Sequence, residues 1–222
     1  NLQRINFTMQ GDDKLDVKGF VDIIDDDMSV TLDKVTYLNN ILQGKIINTK
    51  TISKLTLGGE QLDLSQIDFS RFITRQSNKS GVTDIKVKKV QLKSDVHLSN
   101  LEFHLSCDAI KCNSGSLLAD LESHKSNDYV SMNLASYENH EIWSVHSNNL
   151  GELLKGTGLY SGINKGNVSL ILKTSRKDAN IGNIIPIIDG TFNVTKFSTA
   201  DVSFATTVIS MTSFTGLFTM IS

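Results

Sequence analysis

The chain has 222 residues, a formal net charge of −2, 39% hydrophobic residues and 21% charged residues. That balance excludes a disordered chain and a nucleic-acid binder working by bulk charge, and it is enough for one large β domain or two smaller ones. No apolar run reaches the ~20 residues that span a bilayer, and the N-terminus has no signal-like pattern. Both ends read as cut in mid-element, the expectation for a piece of a longer protein.

Along the chain, period-two alternation dominates, the pattern of half-buried strands. Ile5, Phe7 and Met9 alternate with polar residues, and "GDD" supplies a turn. Leu15, Val17, Val21 and Ile23 follow on one face, with Gly19 in the gap. After "DDD" come Met28, Val30 and Leu32, then Val35 and Tyr37 one register later. Leu55 and Leu57 precede "GGE", which reads as a turn, and Leu62 and Leu64 follow it.

"RQSNKSG", Arg75 to Gly81, reads as a linker between strands 1–74 and a second region, 82–222. Ile85, Val87, Val90 and Leu92 resume the alternation with a slip at Lys88-Lys89, where a bulge fits. Val96 and Leu98 continue it; Leu101, Phe103, Leu105 and Cys107 share a face. Tyr129, Ser131, Asn133 and Ala135 make a more polar strand. Connections are short and carry Gly, Asn, Asp and Ser, and Pro186 is the only proline. The expectation is an antiparallel meander of consecutive hairpins.

Two stretches break the pattern. Asn149 can N-cap a helix over Leu150 to Lys155, with Glu152 three residues on. Leu150, Leu153 and Leu154 then share a helical face, and Gly156 and Gly158 can end it with left-handed caps. The turn from Gly162 to Gly166 leads into a strand with Val168, Leu170 and Leu172 on one face; Phe192 and Val194 form a matching face further on. The segment from Asp201 has helical spacing at Val208, Met211, Thr215 and Phe218. Its β-branched content argues for strand, so periodicity leaves it open.

Enzyme constellations are missing. His97, His104, His124, His140 and His146 are scattered without metal-ligand spacing, and His104 is expected to point away from the Phe103/Leu105 face. Asp25 to Asp27 lack the glycine and distal Glu of a calcium loop. No nucleophile elbow, Walker loop or dinucleotide fingerprint occurs. The sequence calls for no catalytic residue, metal or cofactor. Cys107 and Cys112 are ~16 Å apart in a continuous strand, beyond the ~7 Å limit for a bridge. Only a four-residue turn over "DAIK" sets them opposite each other, and the reading favours two unpaired thiols. Asn6, Asn78, Asn167 and Asn193 head N-x-S/T sequons, which matter in a eukaryotic secretory protein.

"SNNLGELLKGTGLYSGINKGNVSLILK" resembles the C-terminal region of the AsmA-like superfamily of Gram-negative envelope proteins. The shared pattern is a small polar residue, a short leucine-rich helix ending in "GLY", and a glycine-flanked turn into an amphipathic strand. "GGEQLDLSQIDFSRF" is similar to a G-x-x-L-D-L-S passage of that family. "DGTFNVTKFSTADVSFATTVISMTSFTGLF" is similar to its closing strand and helix, with Ser213, Gly216 and Leu217 in the helix ending. The motif residues are thus Asn149, Leu150, Leu153, Leu154, Gly158, Leu159, Gly166, Ser213 and Gly216, and the match covers roughly residues 58 to 222.

The resemblance implies a mainly β fold: a long antiparallel meander sheet curled into a groove or open tube, with one or two short helices packed near the C-terminus. It also implies a non-enzymatic role, with phospholipid acyl chains carried between inner and outer membrane by a periplasmic protein anchored in the inner membrane outside this chain. Phe103, Leu105, Val168, Leu170, Leu172, Phe192 and Val194 are the expected groove lining. A structural or adhesive module with a closed core is the alternative, and alternation alone does not separate the two.

Overall fold

A computed structural model describes residues 2–12, 14–66, 79–108, 111–122, 127–138, 140–175 and 187–199. They form a single twelve-stranded sheet whose strands lie in chain order. The first half comprises β1 (Leu2–Gly11), β2 (Leu15–Ile24), β3 (Asp27–Tyr37), β4 (Asn40–Asn48), β5 (Ile52–Asp63) and β6 (Ser80–Gln91). The second comprises β7 (His97–Cys107), β8 (Cys112–Leu121), β9 (Asp128–Ser136), β10 (His140–Ser147), β11 (Ile163–Ser175) and β12 (Ile187–Thr199), with helix α1 (Leu150–Thr157) between β10 and β11. The first and last strands do not pair with each other, so the sheet is an open, curled meander; alternation predicts the meander, and the open, curled form is what the resemblance implies. None of the described helices is long and apolar enough to cross a membrane.

The strand pairs are antiparallel except one: β5 and β6 run parallel, with Ile52 opposite Ser80 and Asp63 opposite Gln91. A hairpin cannot join parallel strands; the chain has to return along the sheet, which takes about a dozen residues or more. Residues 64–79, between the two strands in the sequence, are numerous enough for it. Ser80 and Gly81, read as the end of a linker, already belong to β6, and the remainder of 75–81 up to Asn78 lies outside the described residues. The sheet is continuous across this junction, joined by Lys79, whose ammonium donates to the Asn48 side chain at 3.0 Å and the Thr49 carbonyl at 2.8 Å.

"GGE" is not a turn. Gly58, Gly59 and Glu60 lie inside β5, and the register against β4 shifts there, between Ile41 and Leu42. A Cβ on Gly59 would stand 2.4 Å from the Ile41 carbonyl oxygen, so β4 crosses too closely for a side chain. Glycine marks a close backbone approach here, a pattern that sequence alone shares with a hairpin.

The slips in alternation are steps across one transverse crease. In β3, Asp33 and Lys34 intervene between Leu32 and Val35, and the register shifts against both neighbours. In β5, β6 and β7 the doubled polar residues are Glu60-Gln61, Lys88-Lys89 and Ser99-Asn100. These three strands slip together, so the expected bulge at Lys88-Lys89 leaves their mutual register unbroken. The shifts emerge at the borders of the trio, against β4 and against β8. Asn100 takes a left-handed φ of 53° at that step. Bulges of this kind bend strands, and a row of them bends the sheet.

The main core cluster lies around the crease, with Val87, Val90, Leu98, Leu101, Ala119, Leu121 and Val130 buried. Cys107 and Cys112 are opposite each other at the β7–β8 hairpin and form a disulfide, which corrects the reading of two free thiols. The four-residue connection is the one that permits it: the Asp108 N–H donates to the Lys111 carbonyl at 2.8 Å, and Asp108 Oδ1 accepts from the Lys111 N–H at 2.8 Å. Among the described residues there is no free cysteine.

Candidate functional site: an apolar face crossing the whole sheet

Directly paired residues on neighbouring strands project to the same face, so the register defines rows that run across the sheet. One row starts Phe7, Gly19, Leu32, Gly44, Leu57, Ile85 and continues Phe103, Leu117, Met132, Val145, Leu170, Phe192. It crosses all twelve strands without one polar side chain.

A second row, two residues along, runs Ile5, Val21, Val30, Ile46, Leu55, Thr83, then Leu105, Gly115, Leu134, Trp143, Leu172, Gly190. A third, on the other side of the first, runs Met9, Val17, Val35, Leu42, Gly59, Val87, Leu101. There the β7 bulge sets Asn100 and Leu101 against Ala119, and the row goes on through Val130, Ser147, Val168 and Val194.

Glycines sit in these rows for a steric reason. A sheet curling around one face crowds the side chains on it, and a missing side chain lets a neighbour lean across. A Cβ on Gly19 would meet the Phe7 ring at 3.1 Å, and one on Gly115 would meet Leu105 at 3.0 Å. The face is far from closed. Ile5 is 55% exposed and Met9 56%, and Met28, Ile46 and Phe192 are exposed as well.

The opposite face carries ion pairs beside exposed apolar residues such as Leu118, Ile41 and Ile171. Arg4 grips Asp22 with Nε at 2.6 Å and Nη2 at 2.8 Å, and its guanidinium lies 4.2 Å from the Phe20 ring centre. Lys34 meets Asp16 at 2.8 Å, Lys88 meets Glu60 at 2.8 Å, and Lys86 meets Glu102 at 3.1 Å. His104 points to this face as expected, its Nδ1 2.7 Å from Asp84 Oδ1. That bond, helped by Lys54, holds the Asp84 carboxyl below the usual carboxylate range. Asp22 beside Arg4 and Asp16 beside Lys34 are lowered in the same way. Among the described residues no group of three His, Cys, Asp or Glu is placed to hold a metal ion.

Helix α1 lies on the apolar face. Asn149 caps it, its Oδ1 accepting from the Glu152 N–H at 3.2 Å while its Nδ2 donates to Asp128 at 2.6 Å. Leu150 packs with Ile163, Val168, Leu154 and Val194, and Leu153 packs against the main core cluster. Gly158 ends the helix at φ 74°, and the Leu159 N–H reaches back to the Leu154 carbonyl at 3.0 Å, a Schellman closure. Gly156 is not a cap: it is helical and buried, with no room for a Cβ beside Leu92 and Val96. Gly166 is not in a turn either; β11 begins at Ile163, and Gly166 kinks it at φ 108° beside Phe197.

All seven residues expected to line a groove project to the apolar face. Phe103, Leu170 and Phe192 share the first row, Leu105 and Leu172 the second, Val168 and Val194 the third. The structure also divides them. Phe103, Leu105, Leu170, Leu172 and Phe192 are exposed or half-buried, whereas Val168 is buried in the cluster under α1 and Val194 packs against it. Leu159, of the motif residues, is exposed. Ser213, Gly216 and the segment read as a second helix lie outside the described residues.

Other members of the face carry a weaker sequence signal. In β9 the polar strand read at Tyr129, Ser131, Asn133 and Ala135 projects outward, while Val130, Met132 and Leu134 lie on the apolar face. Trp143 and Val145 of β10 and Gly44 and Ile46 of β4 went unread. Their alternation is present, but it is short and flanked by Asn, His and Glu.

No family model, curated protein or solved structure matches the chain.

Proposed function

We propose that the chain is a non-enzymatic lipid-handling segment of an AsmA-like envelope protein, whose trough shields phospholipid acyl chains in passage between inner and outer membrane. One observation carries the reading: three mainly apolar rows cross twelve strands of an open sheet, and much of the first two, with the β1–β5 part of the third, stays uncovered. Soluble proteins rarely leave so large an apolar surface without a ligand or partner for it. Acyl chains need apolar area and little directional bonding, which is what mainly apolar rows with few polar groups supply.

The Cys107–Cys112 disulfide supports a compartment outside the reducing cytosol, in keeping with a periplasmic site and inner-membrane anchorage in the full-length protein. The ion-paired outer face supports exposure of that side to water. The second reading, a structural or adhesive module, draws on the closed cluster around Val90 and requires other protein to cover the β1–β5 rows.

Mass spectrometry of the protein purified without detergent tests the proposal. Co-purifying phospholipid in stoichiometric amount is the expected result. Protein that remains lipid-free after incubation with phospholipid vesicles contradicts it.

A further inference from the structure

Resting on the reading of the apolar face as an acyl-chain trough, we propose that α1 is a permanent occupant of part of it. Together with the short 3-10 turn at Lys93–Asp95 that it packs against, the helix covers the third row between β6 and β11. Bound chains therefore have two furrows side by side on β1–β5 and only one beyond.

The third row is covered over only part of its length. Its members share backbone geometry and face, yet their exposure divides sharply. Met9 is 56% exposed, and Val17, Val35 and Leu42 are half-buried. Val87 is 2% exposed, Val130 6% and Val168 7%. What changes between the two halves is the cover, α1 and the short 3-10 turn at Lys93–Asp95 that α1 packs against.

The cover also shows what the furrow takes, because its occupants are the aliphatic side chains Leu150, Leu153 and Leu154. Rows two residues apart stand about 6.6 Å from each other along a strand. That separation lets one hydrocarbon chain lie between adjacent rows and touch both at about 4 Å. Three open rows make two such furrows; beyond β5 the first two rows make one, pinched at Leu134, which is itself 4% exposed.

The helix is fixed rather than hinged. A Cβ on Gly156 would stand 2.9 Å from both Leu92 and Val96, and one on Gly151 would stand 2.5 Å from the Ile163 carbonyl oxygen. Packing that close, together with the Asn149–Asp128 bond at 2.6 Å, ties both ends of the helix to the sheet. The trough consequently narrows at a defined place, between β5 and β6, and a two-chain lipid lying along it keeps both chains on the sheet only up to that point.

Both native cysteines are in the disulfide, so a single introduced thiol is unique under non-reducing conditions. Val35→Cys, Leu117→Cys, Val130→Cys and Val168→Cys are exposed to a fatty acid carrying a terminal maleimide, and adducts are timed by intact-protein mass spectrometry. Val35→Cys and Leu117→Cys are expected to label quickly. Val130→Cys and Val168→Cys label about tenfold more slowly or less, since they wait for local opening. Leu153→Ala in the Val130→Cys background should restore labelling; where either buried variant fails to fold, the other carries the comparison.

Equal labelling of Val130→Cys and Leu117→Cys overturns the permanent occupancy and leaves the trough standing. So does slow labelling of Val35→Cys alongside fast Leu117→Cys, which removes the second furrow. Labelling at neither Leu117→Cys nor Val35→Cys overturns the trough reading itself.

Discussion

Gly59 shows how much one residue carries in this sheet. It has no side chain because the β4 backbone passes where a Cβ would be, 2.4 Å from the Ile41 oxygen. Gly59→Val should therefore cost about 2–4 kcal/mol, since the β4–β5 pair must separate at the crease. Chemical denaturation measures it, and a midpoint matching wild type would mean that the strands can move apart freely. Asp84 gives the corresponding case on the outer face. Its carboxyl is held below its usual range by His104 first and Lys54 second. A carboxyl lowered in the folded state binds its proton more readily in the unfolded chain, so folding is favoured while it is ionised. That contribution is complete above the unfolded value near 4 and is lost as pH falls through the lower folded value. Asp16 and Asp22 act in the same direction. The melting temperature is expected to fall as pH drops below about 4, less steeply in Asp84→Asn; identical acid limbs for the two proteins would remove Asp84 from the account.

At the scale of elements, α1 couples a local signal to tertiary packing. Asn149, the leucine spacing and Gly158 were all legible in the sequence because capping is written within a few residues. Gly156 was misread because a helical glycine that admits a neighbouring turn looks the same as a glycine that ends a helix. Leu153→Asp sets an unpaired carboxylate against the main cluster and should destabilise by about 2–4 kcal/mol. A melting curve unchanged from wild type would detach α1 from the sheet. The β7–β8 hairpin is a second element tied from outside the ladder. Its loop is short, so replacing both cysteines with serine is expected to cost only about 2 kcal/mol, read from the denaturation midpoint. A loss well above that would show that the bridge does more than restrain the unfolded chain. The sequence reading set the two cysteines too far apart because it counted along one strand, and only the turn over residues 108–111 reverses the chain between them.

At the scale of the molecule, alternation gives each strand's two faces but not the partner of each strand. The antiparallel order followed from short turns, and the one parallel junction escaped because residues 64–79 carry no hairpin or helix signal strong enough to announce a crossover. The phase slips at Leu32/Val35 and Val87/Val90 are each legible in isolation, while the one at Leu98/Leu101 is not read from the sequence. Their alignment into one crease depends on register between strands, which no single stretch encodes. The same holds for the trough: individual apolar faces are legible, while rows spanning twelve strands exist only after pairing.

Trp143, the single tryptophan of the chain, stands in one of those rows between Leu134 and Leu172, half-buried on the apolar face. It reports directly on whether acyl chains occupy the trough. Phospholipids brominated in their acyl chains should quench its fluorescence strongly, and the same lipids without bromine should not. A Trp143→Phe, Ser144→Trp variant moves the indole one residue along β10, to the outer face beside Asn133 and Ile171, and is expected to lose the quenching. Equal quenching at both positions, or none at Trp143 in folded protein, would contradict an acyl-chain trough and leave the sheet as a structural module.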